Sequence, residues 1–264
     1  MKRKYKVGAV IILIIGAISL IPQEDTSLKI NIVGSNSIQP ICEQLVEEYE
    51  KTHKNVDINV QGGGSSLGIR CSNSSIADIG MSSKEIECDN LKEYELGKEA
   101  IVIIANNKNS INDLTTDQIR NIFSGKIKDW GEISNQSGKI NIIIREEGSG
   151  TLDSFKDIIM KNQSIKNDAI VQNSPGGVKQ TVIQDENAIG FTSLVHIDSK
   201  IKSISIDGVY PRDETIGDGS YKLQRPFILL TDNTPNQQTK EFIDWALSNQ
   251  SQDILESEKI IRAD

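Results

Sequence analysis

Three short segments of the 264-residue chain bring glycine together with hydroxyl side chains where a strand gives way to a helix. They are Gly34-Ser35-Asn36-Ser37-Ile38, Gln61-Gly62-Gly63-Gly64-Ser65-Ser66 and Arg145-Glu146-Glu147-Gly148-Ser149-Gly150-Thr151. The first turn of a helix leaves backbone N–H groups free, and the helix dipole adds partial positive charge there. Such a terminus can hold an anion. Glycine lets the backbone come close, and Ser or Thr hydroxyls rotate to donate. A single loop of this kind is equally an ordinary serine cap. Three in one chain, one of them led by an arginine, point to an oxyanion site. Arg145 can grip two oxygens of a tetrahedral anion with its planar fork. Its competing use is an ion pair with Glu146 or Glu147. Glu147 could also orient Arg145 and mute its charge, leaving the anion to neutral dipoles.

Other chemistries find little support. Gly64-Ser65-Ser66-Leu67-Gly68 matches the G-x-S-x-G nucleophile elbow, with Ser66 as nucleophile. The only histidine after it is His196, whose neighbours do not mark it as a base. That hydrolase reading also leaves Arg145–Thr151 without a purpose. No glycine-rich loop runs into Lys-Ser or Lys-Thr, so a phosphate-loop NTPase is excluded. Neither H-E-x-x-H nor a Cys/His cluster suggests a metal, and no cofactor is implied. Cys42, Cys71 and Cys88 read as small buried side chains or one disulfide with a thiol left over.

Alternating elements must position the three loops. Leu28–Val33 and Val56–Val60 read as strands, and Pro40–Lys51 as a helix with Ile41, Leu45, Val46 and Tyr49 on one face. A short helix is expected after Ser66. Ile101–Ala105 and Ile140–Ile144 read as buried strands, Thr115–Phe123 as a helix. A helix from Thr151 presents Leu152, Phe155 and Ile159. Phe227–Leu230 reads as a late strand and Thr239–Leu247 as a late helix. This alternation predicts an α/β fold with mostly parallel sheets. In such folds ligands sit at the carboxyl ends of strands, where all three loops fall.

The net charge is −8. Residues 1–27 carry four cations against two carboxylates, so the remainder stands at −10. So acidic a body is a poor nucleic-acid binder. It attracts no anion in general, so a local site must do the work. Lys2, Arg3 and Lys4 precede a mainly apolar run from Val7 to Ile21. That reads as a signal peptide or an uncleaved membrane anchor, with the body outside the cytoplasmic membrane.

With these features the chain resembles the phosphate-specific substrate-binding proteins (PstS) of ABC uptake transporters. The likeness covers nearly everything after residue 27. It rests on Gly34-Ser35-Asn36-Ser37, Gln61–Ser66, Ala77-Asp78-Ile79-Gly80-Met81-Ser82-Ser83, Asp117–Trp130, Arg145–Thr151, Gly176-Gly177-Val178, Ala188–Phe191, and Gly208-Val209 followed by Glu214-Thr215-Ile216. The resemblance implies a two-lobed periplasmic-binding-protein-like fold (type II) with the ligand cleft between the lobes. Residues 28–105 and the return segment 223–264 would form lobe I, and 106–222 lobe II. Ligand donors would be Ser37, the Ile38 N–H and Ser65 from lobe I, facing Arg145, Ser149, the Gly150 N–H and Thr151 from lobe II, with Glu147 in support. Ser83 stands where some members carry an acceptor Asp. It can accept through its lone pairs but supplies no charge filter. Glu85 is a substitute acceptor or a solvated surface carboxylate. The implied partners are inorganic phosphate and an ABC permease with separate ATPase subunits. The protein would be a monomer and no enzyme. It would be secreted, or held to the outer face of the membrane only by its N-terminal segment. Rival readings are a binding protein for sulfate, molybdate or tungstate, and an anchored phosphate sensor that feeds no permease.

Overall fold

The computed structural model describes residues 28–86 and 88–262. The basic, apolar N-terminal segment lies outside them. No described helix is long and apolar enough to cross a membrane.

The chain opens with strand β1 (Leu28–Gly34), helix α1 (Gln39–Thr52), β2 (Val56–Gly62), α2 (Ser65–Asn73) and β3 (Ile79–Ser82). In β1 the buried positions alternate through Ile30, Ile32 and Gly34, the period expected of a half-covered strand. Helix α1 starts with Pro40 in its first turn and buries Ile41, Cys42, Leu45, Val46 and Tyr49. Next come the long β4 (Leu91–Ala105), β5 (Asp113–Leu114) and α3 (Thr116–Phe123). Helix α3 is held by a reciprocal capping box between Thr115 and Gln118. Then follow β6 (Asn141–Arg145) and α4 (Gly150–Phe155), which runs into a π-helical turn at Lys156–Met160. The chain continues through β7 (Ile170–Gln172), α5 (Pro175–Gln184), β8 (Ala188–Ser193), β9 (Lys202–Ile206) and α6 (Asp213–Gly217). It closes with β10 (Gln224–Asp232), α7 (Gln237–Ala246) and α8 (Gln252–Ser257).

The strands join in the order β2-β1-β3-β10-β4-β8-β6-β7, with β9 pairing β4 and β5. The outer pairings β1–β2, β1–β3, β6–β7 and β6–β8 are parallel, as βαβ crossovers require. The pairings around β10 and β4 are antiparallel.

Two main apolar cores form on either side of this seam. One contains Ile30, Ile32, Ile41, Tyr49, Leu96, Phe227 and Phe242. The other runs from Ala100 to Leu223 and includes Phe123, Trp130, Phe155 and Phe191. Phe155 stacks on Phe191 with ring centroids 4.2 Å apart. Strand β4 serves both cores. Its first part pairs β10, whereas Ile101–Ala105 pairs β8 and packs in the second core. By packing, Ala100–Ala105 lie in the second core, whereas the family resemblance implies a lobe I that runs through residue 105. The reason is register: β4 is one continuous strand that changes partners halfway. Gly97 lies on it at φ +151°, and a Cβ there would meet the Ile261 carbonyl oxygen at 2.4 Å.

Candidate functional site

The carboxyl ends of β1, β3 and β6 and the first turns of α1, α2 and α4 meet at one place. After β1, Ser35 donates its backbone N–H to the Met81 carbonyl at 3.0 Å. Its hydroxyl donates to Ser83 Oγ at 3.0 Å. Ser37 is buried, and its Oγ lies 3.3 Å from Thr151 Oγ1. The Ile38 N–H donates to the Ser35 carbonyl at 3.1 Å, and its side chain is in the core.

Gly64, at φ +90°, turns the chain into α2, a backbone angle that favours glycine. This leaves Ser65 in the first helical turn, fully buried. Ser65 Oγ accepts the Ser83 N–H at 3.0 Å and lies 3.2 Å from Ser83 Oγ. From the other core, Ser149 caps α4 by accepting the Leu152 N–H. A Cβ on Gly150 would lie 2.5 Å from Ser83 Oγ and 2.6 Å from Ser65 Oγ. Only glycine lets the α4 terminus come this near to those hydroxyls. The site is thus a buried cluster of Ser37, Ser65, Ser83, Ser149, Gly150 and Thr151, drawn from both cores.

Arg145 ends β6 and is buried. Its Nε and Nη2 donate to the two Glu146 carboxylate oxygens at 2.8 and 2.9 Å. Nη1 is buried without a hydrogen-bond partner. The supporting role assigned to Glu147 is corrected: Glu147 pairs with Lys156 at 2.7 Å and is exposed. Extended geometry would put residues 145 and 147 on one face. The strand stops at Arg145, however, and Ser149 N–H turns back to the Glu146 carbonyl, which brings Glu146 beside the guanidinium.

Sequence reasoning missed Arg225 and Glu99. They are cross-strand partners on β10 and β4, both fully buried as an ion pair at 2.9 Å. Arg225 Nη1 donates to Ser83 Oγ at 3.1 Å and also to Thr151 Oγ1. Glu99 Oε1 accepts the Ser193 hydroxyl and, at 3.4 Å, the Val195 N–H. The only signal was a charged residue leading each of two apolar runs, Glu99 before Ala100–Ala105 and Arg225 before Phe227–Leu230. Register, which the sequence does not state, makes them partners.

His196 lies close enough to feel this field. Burial, then the charges of Arg225, Lys179 and Arg145, hold its pKa down to about 4. Its Nε2 is buried and unpartnered. Ser66 lies one residue into α2 and gives its backbone N–H to the Gly148 carbonyl at 3.2 Å. Among the described residues no hydrogen bond joins Ser66 to His196. Glu85 is exposed. Cys42, Cys71 and Cys88 are free thiols, and burial pushes the Cys42 thiol up to about 12. Among the described residues no cluster could hold a metal ion.

The two halves also touch around the site. Asn36 donates to the Asn173 carbonyl at 3.0 Å, and Lys84 pairs with Asp153 at 2.5 Å. The arrangement offers hydroxyl and N–H donors and a buried guanidinium to a small oxyanion. It shows no nucleophile–base pair.

Known proteins share this architecture. Residues 22–250 match a family model described as a PBP superfamily domain. The phosphate-binding protein PstS of Borreliella burgdorferi is 27% identical over 251 residues, spanning 89% of this chain and 90% of its own. PstS of Bacillus subtilis is 28% identical over 237 residues, spanning 87% and 79%. A Clostridium perfringens structure with bound phosphate, described as a candidate phosphate ABC transporter substrate-binding protein, superposes with TM-score 0.86. It is 31% identical and covers 90% of this chain and 100% of that one. An ABC-type phosphate transport receptor from Vibrio cholerae gives TM-score 0.77 at 30% identity, covering 89% and 100%.

Proposed function

The chain belongs to the PBP superfamily and, within it, to the PstS phosphate-binding proteins; from that premise we propose that it captures inorganic phosphate outside the cytoplasmic membrane and hands it to an ABC importer. It binds its cargo and performs no chemistry on it. The observation that carries this reading is the meeting of helix N-termini and hydroxyls from both cores, with Arg145 presenting a buried, unpartnered Nη1.

The ligand set is Ser37, Ser65 and Ser83 from one side. Arg145, Ser149, the Gly150 N–H and Thr151 come from the other. Ile38 joins only by sharing an N–H that already donates to Ser35. Glu146 orients Arg145 and offsets its charge. Strand β4 and the start of β10 are the two crossings between lobes. The first lobe takes residues 28–99 and the chain from about 224 onward; the second takes the residues between. Bending at the crossings opens the cleft, and the anion stabilises the closed state by bridging both lobes. The closed monomer docks on a permease whose ATPase subunits are separate chains. The N-terminal segment serves as export signal or outer-face anchor.

Crystals grown with phosphate test the assignment. One phosphate oxygen is expected within hydrogen-bond distance of Arg145 Nη1, with others on Ser65 and Thr151. Phosphate seated elsewhere would contradict it.

A further inference from the structure

An ion pair inside one lobe steadies that lobe, whereas an ion pair between lobes steadies only the closed cleft. Among the described residues, Lys84–Asp153 is the one pair of the second kind. Lys84 follows β3, one residue past Ser83, and Asp153 lies in the first turn of α4, two residues past Thr151. Glu99–Arg225 joins two strands on one side. Arg145–Glu146, Lys156–Glu147 and Lys179–Asp198 stay within the other. Other contacts between the lobes are hydrogen bonds. Asn36 donates to the Asn173 carbonyl at 3.0 Å, Ser66 N–H to the Gly148 carbonyl at 3.2 Å, and Arg225 Nη1 to Thr151.

Rigid elements carry both ends of the pair. Ser82 ends β3 in register with Ile228 of β10. Its hydroxyl donates to the Lys84 carbonyl at 2.9 Å and accepts the Lys84 N–H at 3.4 Å, which fixes how Lys84 leaves the strand. Asp153 N–H donates to the Ser149 carbonyl at 3.0 Å, and two residues on Phe155 stacks on Phe191 in the second core. Rotation of one lobe against the other must therefore pull the two charges apart. The two side chains are 28% and 23% exposed, so solvent screens the pair only in part. They border a crevice of about 560 Å³, lined also by Glu85, Lys156, Asp157 and Gln224. Lys156 is itself taken by Glu147 at 2.7 Å.

We propose that Lys84–Asp153 is a clasp that sets how long the closed cleft keeps its phosphate. The clasp presupposes the hydroxyl and Arg145 cluster as the phosphate site, yet neither partner belongs to the donor set. Phosphate enters the open protein, in which the two charges are apart, so the pair does nothing for entry. Release requires opening, which breaks the pair together with the anion's contacts. The pair thus adds to the closed state alone, and its contribution falls on the dissociation rate.

A second effect of the same charges has the opposite sign at one of the two positions. Through its field alone, Lys84 attracts an anion and Asp153 repels it. Asp153 also sits in the first turn of α4, where its carboxylate competes with an anion for the helix terminus. Removing Lys84 weakens phosphate binding on either account. Removing Asp153 tightens binding if only the field acts and weakens it if the clasp acts.

The test measures, for wild type, Lys84→Met, Asp153→Ala and the paired variant, phosphate affinity by calorimetry and the release of bound radiolabelled phosphate into excess unlabelled phosphate after rapid mixing. Thermal unfolding of each is followed in parallel. Each single variant is expected to release phosphate about three- to tenfold faster than wild type, with little change in association rate. The paired variant is expected to be no worse than either single variant, since the first substitution already removes the contact. Lys84→Arg, which keeps the charge, is expected to retain slow release. Because each partner is removed separately, a folding defect in one variant leaves the other to decide. Tighter phosphate binding by Asp153→Ala, or release at the wild-type rate from both single variants, would overturn the clasp and leave the phosphate reading intact. A wild-type protein that binds no phosphate would overturn both.

Discussion

At the scale of single residues, a side chain's use is set by what surrounds it, and the short loops that carry the hydroxyls and Arg145 declare the side chains without their surroundings. Glu146 instead of Glu147 meets Arg145 because the strand stops at Arg145 and the chain turns back at once. Arg225 stands far from every loop in sequence and reaches Ser83 through a side chain. His196 carries a stability prediction of its own. Its folded pKa, about 4, lies below the ordinary value of 6.5. Between those values the unfolded chain binds a proton that the folded protein refuses, so stability rises with pH across the interval and is lost as pH falls through it. The loss over the whole interval is on the order of 3 kcal/mol. His196→Gln is expected to flatten the pH dependence of denaturant midpoints between about pH 6.5 and pH 4. An unchanged profile would show that His196 is free to protonate in the folded protein.

At the scale of elements, long periodic segments were readable and their pairings were not. Helix α1 and the capping box of α3 follow from local pattern. The full length of β4 does not, since its charged first half hides behind Ile101–Ala105 in a hydropathy reading. The short β3, β7 and β9 carry too few residues to declare a period. The β4–β10 seam bears the next prediction. Breaking the buried Glu99–Arg225 pair from one side leaves an uncompensated charge, at a cost of about 3–5 kcal/mol. Glu99→Gln should therefore lower the denaturation midpoint sharply. Glu99→Gln/Arg225→Met, which removes both charges, should recover most of it. A single variant as stable as wild type would mean that the seam tolerates a lone guanidinium, and the pair would lose its structural role.

At the scale of the whole molecule, the acidic body made a general anion field implausible and a built site necessary. The structure resolves that tension by burying two guanidinium groups, each matched by its own carboxylate, under hydroxyls from both cores. Fold class and two-lobed plan were legible from alternation and family likeness together; the place where β4 changes partner was not. The central claim is that both lobes contribute donors to one anion, with Arg145 as the principal charge. Glu146 is part-exposed and can be hydrated when its partner is removed, so Arg145→Ala should spare the fold. The most direct measurement is calorimetric titration of wild type and Arg145→Ala with phosphate, alongside their thermal unfolding. The account predicts a ten- to hundredfold weaker affinity for the variant, about 1.5–3 kcal/mol, at a nearly unchanged midpoint. Equal affinities in two equally folded proteins would contradict it.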